Sequence, residues 1–292
     1  MYIDYGDGAQ ENIKTSNPTH TYNAGTYTMK ISGKCTKFNI NSSTRGYLTG
    51  LKQWGCLGNT YYAFGGYLKG TYSGCANMVG NIPTPHEKSF QNITSFSDTF
   101  YKCSGLTGNI PENLFANCPN ATTTFQSTFQ SCSGLTGNIP ENLFANCPNV
   151  KKFRYTFSNC SGLTGSIPEN LFAKCPNVTD FKSTFSVCSG LTGSIPENLF
   201  AKCPNATDFT GTFSSCSGLT GSIPENLFAN CPNIEKLGGT SSNVAYGTFS
   251  YCTGLTGNAP DFWNTTSATT HYYCFYNCTQ LGNYADIPDD WK

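Results

Sequence analysis

The sequence is built on copies of a single phrase. S-G-L-T-G-N/S-I-P-E-N-L-F-A-N/K-C-P-N occupies 104–120, 133–149, 161–177, 189–205 and 217–233. A cysteine precedes each copy, at Cys103, Cys132, Cys160, Cys188 and Cys216, at spacings of 29, 28, 28 and 28. The phase runs back to Cys75, and forward to Cys252 after 36 residues and Cys278 after another 26. The 36-residue interval holds an insertion of about eight residues between Leu237 and Thr248. Self-similarity at such a period implies stacked units that bury their apolar faces against one another, closed by atypical end units. Degenerate copies after Cys75 and from Cys252 onward supply those ends.

Each unit has two sides that open alike. Phe185-x-x-Cys188-x-x-Leu191 matches Phe172-x-x-Cys175-x-x-Val178. The run Leu163-Thr164-Gly165-Ser166-Ile167-Pro168 spaces its apolar residues by four, and the internal glycine and closing proline decide against helix. The run Val178 to Phe185 is compatible with a short 3₁₀ or helical piece or with a bent strand. At ~3.3 Å per extended residue a unit of this length must coil, and seven or eight coils at ~4.8 Å make a rod on the order of 35 Å long. Phe153, Phe157, Leu163 and Ile167, with their copies, are the expected core columns.

Composition narrows the function classes. Charged residues make up only 12% of the chain, against roughly 25% in ordinary domains. The 17 basic and 17 acidic residues cancel, which argues against a phosphate-binding surface. Aromatics at 14% argue against disorder. No apolar run approaches the ~18 residues of a membrane span, and no basic segment leads into an apolar one, so neither membrane insertion nor a signal peptide is expected.

The stretch N-V-T-D-F-x-x-T-F-x-x-C-S-G-L-T-G-S-I-P resembles the repeat of BspA-like leucine-rich-repeat surface proteins, with Phe181 where methionine is usual and LFAKCP lengthening the turn. LKQWGCLGNTYYAFGG at 51–66 is similar to that family's opening turn. The resemblance covers roughly 45 to 292 and implies a right-handed solenoid of ~28-residue turns with short β-strands, at the cell surface or secreted. It implies no particular ligand. Within it, 41–102 is expected to be the N-terminal cap with degenerate repeats, 103–251 five regular repeats, and 252–292 degenerate repeats with the C-terminal cap.

Residues 1–40 follow another grammar. Tyr2 to Asp4 reads as a strand entering an Asp-Gly turn, and Tyr27, Met29 and Ile31 alternate as on a half-buried strand. The GDG turn and the H-x-Y-x-x-x-G-x-Y run from His20 to Tyr27 resemble the second half of a PKD-type immunoglobulin-like domain. Its earlier strands are missing, which is expected of a cropped piece that also caps the stack. Asp4 and Asp7 are read as turn formers rather than calcium ligands.

Chemistry is sparse. Sixteen cysteines lack any C-x-x-C, so zinc is not expected; buried thiol ladders are favoured over a systematic set of disulfides. His20, His86 and His271 do not repeat with the array, and no nucleophile, metalloprotease or phosphate-loop motif is present. Glu112, Glu141, Glu169, Glu197 and Glu225 are five copies of one position, unlike the paired unlike carboxylates of a glycosidase. Asn120, Asn149, Asn177, Asn205 and Asn233 read as an amide ladder holding backbone groups, and Thr107, Thr136, Thr164, Thr192, Thr220 and Thr256 as an exposed polar ladder explained by duplication. N-x-S/T matches such as Asn177-Val178-Thr179 matter only in a source that glycosylates.

The expectation is a non-enzymatic module, without cofactor or metal, that recognises an extracellular protein or glycan by avidity along the array. Self-association as a spacer or fibre subunit is the alternative; nucleic acid is not an expected partner. Specificity would lie where the copies differ. The candidate contacts are Lys151, Lys152, Arg154, Tyr155, Lys182 and Thr210, and Tyr246 in the inserted segment.

Overall fold

A computed structural model describes residues 2–13, 19–32, 47–52, 66–67, 74–85, 90, 93–121, 123–240 and 246–292. His86, most of the 51–66 stretch and the tip of the insertion at 241–245 lie outside the described residues.

At the N-terminus, β1 (Tyr2–Asp4) lies between β2 (Gln10–Asn12) and β3 (Lys30–Ser32), antiparallel to both, with Ile3 opposite Glu11 and Ile31. The turn after β1 carries its own caps: Asp4 Oδ1 accepts the Gly6 amide at 2.9 Å and Asp7 Oδ1 the Ala9 amide at 3.0 Å. Gly6 is left-handed at φ 80°, and a Cβ there would meet the Thr28 carbonyl at 2.5 Å. The half-buried strand read from Tyr27 to Ile31 is corrected. Pairing with the three-residue β1 begins only at Lys30, and Met29 is 46% exposed.

From Cys75 onward, successive turns lie on one another around one continuous core. In the turn 160–187, Cys160, Leu163, Ile167, Leu171, Phe172, Cys175, Val178, Phe181 and Phe185 are all buried. Three columns of phenylalanine run through the stack. One passes through Phe129, Phe157, Phe185 and Phe213 with near-parallel rings 5.7 to 5.8 Å apart. A second passes through Phe125, Phe153, Phe181 and Phe209, and the third, through Phe144, Phe172 and Phe200, meets the second in tilted contacts. Each buried ring contributes on the order of 2–3 kcal/mol from apolar burial, with roughly 0.5–1.5 kcal/mol more per favourable ring pair.

The two sides are joined differently. On the L-T-G side, Thr164 N donates to Gly137 O at 2.9 Å and Thr192 N to Gly165 O at 2.8 Å. Gly162 lies so close to the preceding turn that a Cβ would meet Leu135 O at 2.5 Å, and Gly165 is left-handed at φ 73°. That glycine and the following proline interrupt the ladder, so single parallel bridges such as Gly193–Leu219 replace the expected strand. On the other side, a row of bridges joins Thr124, Lys152, Asp180, Asp208, Lys236 and Thr270, one residue per turn. After the bridge, alternate amides serve different partners. Those of Phe181, Ser183, Phe185 and Val187 reach the next turn, while those of Thr184, Ser186 and Cys188 close back on Phe181, Ser183 and Phe185. This alternation needs left-handed residues, at Tyr155 and Asn159 in one turn and at Ser183 and Val187 in the next.

Two buried side-chain rows satisfy the carbonyls this leaves. Thr184 Oγ1 shares its proton between Phe181 O at 2.6 Å and Phe153 O at 3.1 Å, and Thr156 and Thr212 repeat the arrangement. Cys188 Sγ donates to Phe157 O at 3.0 Å, as Cys160 does to Phe129 O and Cys216 to Phe185 O. The cysteines from Cys118 to Cys278 are buried thiols outside any disulfide. Burial pushes the thiols of Cys188, Cys203 and Cys278 up to about 12, which makes them inert packing residues with a weak donor.

The period is interrupted between Leu237 and Thr248, both of which are buried. Leu237 takes the place of the second column's phenylalanine, and Thr248 Oγ1 donates to Leu237 O at 2.7 Å and to Phe209 O at 2.9 Å. At the C-terminal end, α1 (Phe262–Thr265) replaces the N-L-F-A segment. Phe275 N donates to Trp291 O, and His271 stacks on Trp291 at 4.6 Å while pairing with Asp290 at 2.7 Å.

Candidate binding face

The variable segments line one side of the stack, and five of the seven sequence-derived contact residues fall there on two adjacent turns. Lys151 and Lys152 are exposed. Two residues past the bridge, Arg154 and Lys182 are half-buried, as is Tyr155, which holds the left-handed position at φ 57°. The Arg154 guanidinium lies over the Tyr155 ring at 5.6 Å, and its Nε is 3.8 Å from Asp180 Oδ2. That distance is too long for a hydrogen bond, and Nε has no such partner among the described residues.

Thr210 is corrected as a surface contact. It is 6% exposed, its amide donates to Asp208 Oδ1 at 3.0 Å, and its hydroxyl donates to Gly238 O at 3.4 Å. The glycine-rich start of the insertion folds over it. Tyr246 is exposed at 56% but stands apart from the basic group, near Gly211.

The sequence reading missed the partners of these cations. Asp180 accepts the Lys182 amide at 2.9 Å and faces Arg154, while Lys236 Nζ lies 3.6 Å from Asp208 Oδ2. Lys152, Asp180, Asp208 and Lys236 follow one another at the repeat period, which was the available signal. Burial raises the Asp180 carboxyl above its ordinary range and Asp208 adds to this, against the opposing effects of the Lys182 amide, Arg154 and Lys152. Also missed were Tyr251, Tyr273 and Tyr276, at places held in most other turns by serine, asparagine or glycine.

On the L-T-G side the threonines Thr136, Thr164 and Thr192 are exposed. The glutamates are bridged by asparagines of the next turn, Asn170 Nδ2 to Glu141 Oε1 at 2.7 Å and Asn198 Nδ2 to Glu169 Oε1 at 2.8 Å. Asn177 and Asn205 are exposed and donate to the carbonyls of Pro148 and Pro176, both at 3.1 Å. A shallow groove of about 780 Å³ crosses this side between Asn138, Ser166, Ser194, Pro168 and Glu169. Among the described residues no three His, Cys, Asp or Glu side chains are grouped to hold a metal, and no helix is long and apolar enough to cross a membrane.

No curated protein sequence matches the chain. Among solved structures, a leucine-rich repeat protein from Bacteroides ovatus is 17% identical over 92% of this chain and 81% of its own, with a TM-score of 0.32. The Arabidopsis receptor kinase HAESA ectodomain, solved with a peptide hormone ligand, is 19% identical over 73% of this chain and 38% of its own, TM-score 0.33. The APL1 leucine-rich repeat domain is 16% identical over 53% of this chain, which spans 36% of that structure, TM-score 0.30. The model of the BspA type leucine rich repeat region, in six copies, matches residues 86–256 and 165–291. With its recurrent cysteine and phenylalanine columns inside those limits, the chain belongs to the BspA-type leucine-rich repeat family.

Proposed function

We propose that the chain is a non-enzymatic binding module of a cell-surface or secreted protein, wound as a right-handed solenoid and recognising an extracellular protein or glycan through repeated contacts. The N-terminal sheet is read as part of a PKD-like segment preceding it, and the regular repeats as 103–251. The observation that carries the proposal is the division of labour between the two sides. A single core holds near-identical turns, while the residues that differ between copies gather on one face, with Lys151, Lys152, Arg154, Tyr155 and Lys182 adjacent. A periodic scaffold with a variable face is suited to avidity, several weak contacts adding along a rigid array. The test is binding of the full chain to panels of immobilised matrix proteins and glycans. Deletion of 160–187 joins Asn159 to Cys188 in phase and should leave a folded protein with at least tenfold weaker binding. Replacing Lys152, Arg154 and Tyr155 by alanine should weaken binding more than Glu169→Ala. Unchanged binding in the deletion variant would overturn the avidity reading.

A further inference from the structure

The C-terminal turns carry a second surface of different chemistry on the variable side. Residues 211–223, 237–260 and 272–285 contain no Asp, Glu, Lys or Arg. Within these stretches three tyrosines meet ring to ring, and Tyr246 lies on the backbone beside them. Tyr251 and Tyr276 meet edge to face at 5.2 Å between ring centres, and Tyr276 meets Tyr273 in the same way at 5.0 Å. Gly247, next to Tyr246, packs on the carbonyl of Tyr273. Tyr246 and Tyr251 are 56% and 38% exposed.

Two of these rings stand on backbone that does not favour them. Tyr251 and Tyr273 are left-handed, at φ 59° and 64°. Asn159, Val187 and Ser215 hold the place of Tyr251 in other turns, and Tyr155, Ser183 and Gly211 that of Tyr273. Of these, Asn159, Ser183, Gly211 and Ser215 suit the conformation better than tyrosine does, and only Tyr155 is aromatic. Strain retained beneath an exposed ring, where the stack is satisfied by serine or glycine, is the kind of feature found at binding sites.

We infer that Tyr246, Tyr251, Tyr273 and Tyr276 form a platform for a neutral oligosaccharide or polysaccharide, an inference that rests on the binding-module reading and supplies its ligand class. An exposed phenol offers an apolar face to the C–H face of a pyranose and a hydroxyl to its hydroxyls. Asp290, whose carbonyl accepts the Tyr273 amide, keeps its carboxylate on His271, so a charged ligand would lose hydration here for little compensation.

Affinity electrophoresis of the full chain in gels containing dextran, β-glucan or mannan, with heparin as the anionic control, tests this. At least one neutral polymer should retard the protein in a tyrosine-dependent way, and any retardation by heparin, which the basic group around Lys151 and Lys152 could give, should be unaffected by the tyrosine substitutions. The double variant Tyr251→Ser/Tyr276→Ser, which installs residues found at the same places in other turns, should bind at least tenfold more weakly with an unchanged melting profile. If the pair lowers the melting temperature, Tyr251→Ser alone carries the comparison, because that ring is exposed. Retardation by a neutral polymer that survives the substitutions but falls on deletion of 160–187 overturns the platform and leaves the array reading intact. Tyrosine-dependent binding only to proteins, or heparin retardation that is lost with the tyrosines, overturns the neutral-carbohydrate assignment. No binding to any polymer or protein overturns both.

Discussion

The copied side of each turn, typified by 161–177, and the variable side, typified by 178–187, meet the next turn by different means. On the copied side, close approach is the device. Gly162 lets the backbone touch the preceding turn, and a left-handed glycine at 165 turns the chain without a side-chain penalty. On the variable side the same tight stacking is reached through non-glycine left-handed residues, Tyr155, Asn159, Ser183 and Val187, at roughly 1–2 kcal/mol each. The copied side is thus constrained by space and tolerates little change. The variable side is constrained by backbone conformation and charge order, and its outward side chains can differ. A duplicated protein diversifies where its stacking does not depend on the identity of the side chain.

The comparison breaks most visibly in the shared core. Leu163 is fully buried where the copied side begins, so Leu163→Asp places an unpaired charge among the phenylalanine columns. A loss exceeding about 4 kcal/mol is expected, with unfolding of neighbouring turns seen as early loss of cooperative melting. An unchanged melt would mean that the columns are not one core.

Next in size is a rung of the buried hydroxyl row. Thr184→Val keeps the shape but removes the proton shared by Phe153 O and Phe181 O. A loss of about 1–2 kcal/mol is expected in urea titration. A loss below about 0.3 kcal/mol would mean that the threonine row recurs for packing alone.

These cases mark what the sequence could reveal. Period alone placed Phe153, Phe157, Leu163 and Ile167 in buried columns, because each recurs in phase with its neighbours above and below. The interruption was legible for the same reason, since Leu237 and Thr248 flank a broken period and meet through a hydrogen bond. The left-handed positions were not legible. Tyrosine, valine, serine and asparagine share them without a common side-chain signature, and only the alternation of amides between turns explains them. Thr210 was misjudged because its exposure is decided by the glycines of the insertion folding over it, a contact that no spacing encodes. The aspartates were visible as letters, but their pairing with Arg154 and Lys236 is a property of stacking.

A smaller effect, of opposite sign, sharpens the contrast. Val187 is β-branched, left-handed at φ 61° and 41% exposed, the position held by Asn159 and Ser215 in adjacent turns. Val187→Asn should stabilise by about 1 kcal/mol and raise the melting temperature by about 2 °C, with Ser215→Val doing the reverse. If both substitutions are neutral, backbone strain does not distinguish the variable side.

The smallest expected effect concerns charge order. Asp180 is held largely out of water, its side chain 14% exposed, and stands next to Asp208 in the bridge row. Burial first, and then Asp208, raise its pKa above the ordinary carboxylate value, so the ionised form is disfavoured in the fold relative to the unfolded chain. The sign follows from linkage. A raised folded pKa means that the native state holds the proton more tightly, so stability falls as pH rises through that pKa and is recovered as pH drops below the unfolded value of about 3.9. Asp180→Asn keeps an oxygen to accept the Lys182 amide and removes the charge, while Arg154, with a third of its side chain exposed, stays hydrated. The variant should therefore melt slightly higher than the parent at pH 7, and the difference should vanish near pH 3.5. Destabilisation at pH 7 that grows as salt is lowered would instead show that attraction to Arg154 outweighs burial and Asp208. Charge would then order the turns by attraction as well as by repulsion between misplaced neighbours: a slip of one whole turn would leave every copied residue in an equivalent place, but would move Lys152 and Lys236 away from the two aspartates between them.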